Sequence, residues 1–254
     1  MRTLEVEDLD KIYGEQGEEQ ATKALHQVSL TVNKGEFVAI MGPSGSGKTT
    51  LLHVMSGIDD ATSGTVFING KELSAMGNDE LALFRRRELG FVFQEFQLID
   101  SLTVKENIML PMILEKKHAF EIEERTDHIA KLFGIEMILD KYPYHISGGQ
   151  KQRTAISRAL MNEPDIIFAD EPTGNLDSKS SAVIMDCFEK VVKQLGTTVL
   201  LVTHDVFAAS YCQRVVFIKD GEIDSEITSH GERKEFLAAI IDNLARLGGG
   251  HHVF

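Results

Sequence analysis

No stretch of the 254 residues approaches the roughly 18–20 consecutive apolar residues of a membrane-spanning helix. The best candidate, Asn107 to Leu114, is short and interrupted by Pro111. The opening residues, Met1-Arg2-Thr3-Leu4-Glu5, lack the apolar centre of a secretory signal. These absences predict a soluble, cytoplasmic chain. Cysteine is scarce: Cys187 and Cys212 fit a reducing compartment, and neither has metal-ligand spacing. Positive charge is also short. Lys and Arg number 26 against 39 Asp and Glu, a net charge of −13, which argues against general nucleic-acid binding. An anionic ligand must therefore be captured by local groups against an unfavourable global field. Internal repeats and low-complexity linkers are missing. The length suits one large α/β domain, or a core with an inserted subdomain.

What is present centres on Gly42-Pro43-Ser44-Gly45-Ser46-Gly47-Lys48-Thr49, which fits G-x-x-x-x-G-K-[ST]. An apolar run of strand length, Glu36 to Met41, precedes it, and Thr50 to Met55 continues as a helix. Strand, glycine loop and helix are the context a phosphate-binding P-loop needs. Glycines allow successive N–H groups to point at phosphate oxygens, and the helix start adds its positive dipole end. Lys48 would reach the β- and γ-phosphates, and the Thr49 hydroxyl would hold Mg²⁺. A glycine-rich turn with a chance lysine would not supply every required position.

Along the chain, Leu4 to Leu9 and Ala24 to Val32 alternate as strands, with Tyr13 at the end of the first. A polar loop is expected over Gly14 to Thr22, and Asn33-Lys34-Gly35 as a tight hairpin into the P-loop strand. Gly64 to Gly70 reads as a strand and turn. Asp79 to Arg87 reads as a helix with Leu81, Leu83 and Phe84 inward, and Arg85, Arg86 and Arg87 as a solvated face. Gly90 to Gln94 is a buried strand with a polar tip. Helices are expected at Val104–Leu114, Phe120–Phe133, Ile135–Lys141 and Gly149–Met161, followed by strands at Asp165–Glu171 and Thr197–His204 with a helix, Ser178–Gln194, between them. A hairpin through Lys219-Asp220-Gly221, a helix over Glu232–Leu247 and a flexible tail with His251 and His252 close the chain. Polar residues at the tips of successive strands describe a mostly parallel sheet whose carboxyl ends carry the site.

Asp170 and Glu171 end a buried strand. One carboxylate would hold the Mg²⁺ shell and the next polarise a water for in-line attack on the γ-phosphate; the alternative is a helix-start cap. Ile146-Ser147-Gly148-Gly149-Gln150 builds a second anion-binding helix N-terminus. One P-loop can clasp a triphosphate alone, so the second site is best explained if it serves another chain's nucleotide.

The stretch Ile146 to Gln150 resembles the LSGGQ signature of ABC-type ATPases, with Ile146 for the usual leucine. The resemblance extends over almost the whole chain. It implies Tyr13 as the aromatic that stacks on adenine, Gln94 as the glutamine-loop residue, Asn175-Leu176-Asp177 as the D-loop and His204 as the switch histidine. The implied fold is an α/β P-loop NTPase (RecA-like) core over residues 1–94 and 163–230 with an antiparallel β subdomain. A helical subdomain over 95–162 carries the signature, and 231–254 form a C-terminal helix and tail. The implied assembly is a head-to-tail dimer that sandwiches ATP between residues 42–50 of one copy, Thr50 included, and Ser147, Gly148, Gly149 and Gln150 of the other. Glu171 would be the base, His204 would steady the γ-phosphate, Gln94 would join Thr49 and Asp170 around Mg²⁺, and Asp177 would cross the interface. A separate membrane permease would dock on Glu95 to Leu114.

A narrower resemblance, to the bacitracin-export (Bce) type, is carried by Asp140-Lys141-Tyr142-Pro143, Gln150 to Thr154, Ala209 to Val215, Phe217 to Gly221 and Leu247-Gly248-Gly249. It implies two copies on one large permease, peptide-antibiotic resistance and signalling to a sensor kinase. Lipoprotein-release and macrolide-export relatives share nearly all these motifs. Soluble ABC ATPases of translation or DNA repair usually carry two such domains or a long inserted coiled coil, and neither is here. A GTPase or small-molecule kinase would not explain the signature stretch.

Overall fold

Arg2–Tyr13 (β1) and Thr22–Asn33 (β2) alternate apolar with polar residues, and the apolar set is buried: Leu4, Val6 and Leu9 from one, Val28, Leu30 and Val32 from the other. They pair antiparallel. The hairpin expected through Asn33-Lys34-Gly35 does not form. A turn is there, with Glu36 N–H donating to Asn33 O at 3.1 Å, but Phe37–Met41 (β3) leaves for a second sheet. All five β3 residues are apolar and buried, so the strand needs packed layers on both faces. Phe37, Ala39 and Met41 enter one core, Val38 and Ile40 the other, as the two-residue period of a strand requires.

This computed structural model describes residues 1–14 and 21–247. Residues 15–20 of the expected polar loop, and the expected tail from Gly248 with His251 and His252, lie outside the described residues. After β3 come Lys48–Met55 (α1), Ser63–Ile68 (β4), Lys71–Glu72 (β5), Asn78–Glu88 (α2) and Leu89–Phe93 (β6). Between β6 and Ile166–Asp170 (β7) the chain is helical, with Val104–Leu114 (α3), Ala119–Phe133 (α4) and Gly148–Ala159 (α5). Ser178–Lys190 (α6), Thr198–Val202 (β8), Val206–Ala209 (α7), Arg214–Lys219 (β9), Glu222–Thr228 (β10) and Arg233–Leu247 (α8) complete it.

The antiparallel sheet runs β2–β1–β4–β5 and the larger sheet β10–β9–β3–β8–β7–β6, parallel except for β10. Register matters most. Phe93, Asp170, Val202 and Ile40 sit side by side across four strands. The residues that follow the first three, Gln94, Glu171 and Thr203, therefore leave the sheet in one row, while β3 runs one residue further, to Met41, before the glycine loop begins.

Two helix expectations need correction. Leu83 is 40% exposed; Phe84, about 100° round the helix, takes the inward position. Arg86 and Arg87 are exposed as expected, and they also pair with Glu115 at 3.3 and 2.7 Å, which joins α2 to the end of α3. Over Ile135–Lys141 there is only a short 3-10 turn, Glu136–Ile138. Gly134 in the left-handed region ends α4, and Pro143 follows closely, which leaves too few residues to nucleate an α-helix.

One guanidinium ties the two sheets together. Arg214 donates to both Glu36 oxygens at 2.8 and 3.3 Å, to Thr31 O on β2 at 2.6 Å and to Glu226 on β10 at 3.0 Å. Arg214→Met would leave Glu36 an uncompensated carboxylate. The expected cost is about 3–5 kcal/mol, read as a lowered thermal midpoint; an unchanged midpoint would show that the clamp contributes nothing.

Candidate functional site

The P-loop is fixed by its neighbours as much as by its own sequence. A Cβ on Gly42 would lie 2.1 Å from Ile218 O on β9, and Gly47 holds φ +96° as the residue before α1. Gly221 N–H donates to Ser46 O at 3.1 Å. No side chain caps α1, so its first N–H groups remain available to an anion. Lys48 Nζ donates to the loop's own carbonyls, Gly42 O at 2.9 Å and Pro43 O at 2.8 Å. Burial lowers the Lys48 pKa, and Glu171 and Asp170 oppose that shift. Ser44 and Gly45 are exposed at the loop's tip, and the Ser46 hydroxyl is buried without a partner.

Asp170 and Glu171 separate in role. Asp170 Oδ1 is buried with no hydrogen-bond partner. Its carboxyl is raised above the ordinary range by burial first and by Glu171 second, with His53, Lys48 and Thr49 pulling the other way. A buried carboxylate oxygen with nothing to bind, beside a threonine hydroxyl, is a donor set that fits a hard divalent cation. Glu171 turns away at φ +46° with its N–H on Val202 O. Its carboxylate accepts from His204 Nδ1 at 2.8 Å and from Thr203 Oγ1 at 3.3 Å. His204 is the exposed member, its side chain 74% accessible. The helix-cap alternative does not hold for Glu171, because α6 is capped by Asp177.

Gln94, next in the row, donates from Nε2 to Asn175 Oδ1 at 3.2 Å, and Asn175 Nδ2 returns a bond to Gln94 O at 3.1 Å. The glutamine loop and the D-loop are thus joined within one chain. Beyond Gln94, Phe96 and Gln97 adopt φ +61° and +50°. The Arg158 guanidinium on α5 donates to the carbonyl oxygens of both. Buried Asn107 binds Ile99, Leu102 and Thr103.

The second helix N-terminus forms as the sequence requires. Ser147 caps α5, accepting from Gln150 N–H at 3.3 Å, and Gln150 Oε1 accepts from Ser147 N–H at 2.9 Å. Ile146 is buried, Ser147 is exposed, and Gly148 and Gly149 are half-buried. Asp177 caps α6 through Ser180, whose backbone N–H holds its carboxyl below the ordinary range. Among the described residues no hydrogen bond joins 42–50 to 146–150. Tyr13, 42% exposed at the end of β1, donates its hydroxyl to Asp59, and the Thr50 side chain lies beside it at the start of α1. Asn175 is marked in the sequence only as part of the D-loop stretch, and Thr203, Gly221 and Asp59 are not marked as functional positions at all. Thr203 carried a faint signal as a polar strand tip, whereas the other three act through long-range contacts.

A family model described as ABC transporter matches residues 25–174. An uncharacterized ABC transporter ATP-binding protein of Bacillus subtilis is 50% identical over the whole of this chain and 98% of its own length. The bacitracin export ATP-binding protein of Halalkalibacterium halodurans is 47% identical over 98% of both. The lipoprotein-releasing system ATP-binding protein of Aquifex aeolicus is 47% identical over 80% of this chain and 91% of its own. Among solved structures, a dimeric ATP-binding cassette from Methanocaldococcus jannaschii in a post-hydrolysis state bound to ADP and Pi matches with a TM-score of 0.81 and 40% identity. That match covers 90% of this chain and all of the other.

Proposed function

The chain belongs to the ATP-binding subunits of ABC transporters, a family of ATPases with a P-loop α/β fold, and from that premise we propose the following function. Two copies close head-to-tail around ATP and drive a separate membrane permease of the bacitracin-export type. The observation that supports the sandwich is the pair of helix starts, at α1 and α5, which share no hydrogen bond within one copy and each suit an anion. ATP in the first site leaves the second for the nucleotide of another copy. The peptide-antibiotic role is supported by the bacitracin-export relative, which aligns over nearly all of both chains. The lipoprotein-release relative covers less of this chain and supports the alternative branch. Among the described residues no helix is long and apolar enough to cross a membrane, so translocation falls to the partner.

Within the site, residues 42–50 and Lys48 bind the phosphates, and Tyr13 stacks on the base. Ser147, Gly148, Gly149 and Gln150 close on the other copy's ATP, and Asp177 lies at that seam. Asp170, Thr49 and Gln94 would hold Mg²⁺, whose charge offsets that of the phosphates. Glu171 takes the proton of the attacking water, and His204 orients Glu171 and the terminal phosphate.

Affinity purification of the chain from detergent-solubilised native membranes tests the assembly. Two copies with one large permease are expected. Smaller permeases in equal number would move the chain to another branch, and no membrane partner would overturn the transport reading. The docking stretch can be probed separately. Phe96 packs 3.8 Å from where a side chain on Gly148 would begin, so changing it would disturb the signature as well. Half-buried Leu98 is the cleaner position. Leu98→Arg is expected to keep ATP hydrolysis and weaken permease association by roughly 30-fold, the scale of an interface hot spot. Unaltered association would remove this stretch from the interface.

A further inference from the structure

Behind Tyr13 lies a small charged array. Lys11 is 8% exposed, and its Nζ donates to Asp59 Oδ1 and to Asp60 O, both at 2.7 Å. The same ammonium sits 4.8 Å from the centroid of the Tyr13 ring. The Tyr13 hydroxyl donates to the other Asp59 oxygen at 2.7 Å. Asp59 is itself anchored, because Ile58 and Asp59 N–H both donate to His53 O at the end of α1. The opposite end of α1 carries Lys48 and Thr49.

We propose that Lys11 and Asp59 are positioning residues for the nucleotide base, which hold the Tyr13 ring as a preformed platform before ATP arrives. The inference rests on the reading of Tyr13 as the stacking residue. Its logic is one of preorganisation. A tyrosine at the end of a strand must otherwise be ordered when the base binds, and ordering one such side chain weakens binding roughly two- to tenfold. Here the ring is ordered in advance, by a hydrogen bond at its tip and a cation against its face. Helix α1, about 12 Å long at 1.5 Å per residue, then spaces the phosphate loop from the residue that anchors the base platform. A second consequence concerns specificity. The phenol O–H is committed to Asp59, so it does not read the edge of the base. Stacking alone accepts every purine, and the clamp strengthens ATP and GTP alike.

Calorimetric titration of the full chain with ATP, GTP and inorganic tripolyphosphate tests this, using Tyr13→Ala, Tyr13→Phe and Asp59→Ala. Tripolyphosphate occupies the P-loop and has no base to stack. Tyr13→Ala is expected to weaken ATP by about tenfold or more. Tyr13→Phe keeps the ring and loses the tether; it and Asp59→Ala are expected to weaken ATP and GTP equally, roughly two- to tenfold. Tripolyphosphate affinity is expected to stay constant throughout, which a general loss of structure would not permit. If Tyr13→Ala leaves ATP affinity unchanged, the stacking reading falls and the clamp with it. If Tyr13→Ala weakens ATP but Tyr13→Phe does not, stacking stands and the clamp is overturned. Equal weakening of ATP and tripolyphosphate in Tyr13→Phe would place the effect in the P-loop and overturn it too. Tyr13→Phe decides the matter if Asp59→Ala loses its fold.

Discussion

Glu171→Gln is expected to slow ATP hydrolysis by ~10²–10⁴-fold, the usual contribution of a positioned general base, and to trap an ATP-bound dimer. The structure explains why so small a change is selective. Gln at this position can still bond both His204 and Thr203, which hold the Glu171 carboxylate at 2.8 and 3.3 Å. Its shape is retained while its ability to take a proton is lost. There is also an electrostatic gain. Asp170 is raised above its ordinary range partly by the charge of Glu171. Removing that charge eases ionisation of Asp170, which suits a cation at the site. Nucleotide binding should therefore be kept or improved. Phosphate release in single turnover, together with size-exclusion chromatography in Mg-ATP, reads both effects. A residual rate within tenfold of the parent would remove Glu171 from the role of base, and a protein that stays monomeric with Mg-ATP would count against the nucleotide sandwich.

The fold class was legible in the sequence, and so were the candidate site residues that the structure places at helix starts and strand ends, whereas several local connections were not; the reasons are physical. The P-loop and the Ile146–Gln150 stretch both open helices, α1 and α5, so a short local pattern is sufficient to specify them. The strand ends at Gln94, Asp170, Glu171 and His204 were legible because buried parallel strands are apolar until they end, and the polar residues there mark the edge. The β2–β3 connection was misread because a turn signal is local, whereas strand pairing depends on which faces are buried. Leu83 was placed inward because a short apolar run does not say which member faces the core. The remaining contacts were out of reach: Gly221 against Ser46, Asn175 against Gln94 and Arg214 against Glu36 each join residues far apart in sequence. In those cases the residue type is unremarkable until the fold brings it to its partner.

Lys48→Ala is expected to abolish most nucleotide binding while leaving the free protein about as stable as before. The two halves of that expectation come from the same contacts. In the free chain the ammonium is satisfied by Gly42 O and Pro43 O, so binding exchanges two carbonyl bonds for bonds to phosphate. A hydrogen bond to a charged group is worth about 1.5–3 kcal/mol. Losing it at the β- and γ-phosphates should weaken ATP by roughly 10- to 150-fold. Stability behaves differently. Burial lowers the folded-state pKa of Lys48, and the opposing acids do not reverse the shift. The protonated form is therefore less favoured folded than unfolded, and removing the charge relieves that penalty at neutral pH. Of the two carbonyls it leaves, that of Pro43 is exposed and can take water in place of the ammonium, while that of Gly42 is part-buried and offsets some of the gain. Lys48→Arg separates charge from shape. It keeps the cation, but the planar fork is no substitute for a compact ammonium folded onto its own loop, so it too should bind ATP poorly. Calorimetry with ATP and thermal unfolding without it give the two readings. Unimpaired ATP binding by Lys48→Ala would sink the phosphate-binding assignment of the loop. A large fall in the midpoint of the free protein would instead show that the lysine mainly holds the loop together.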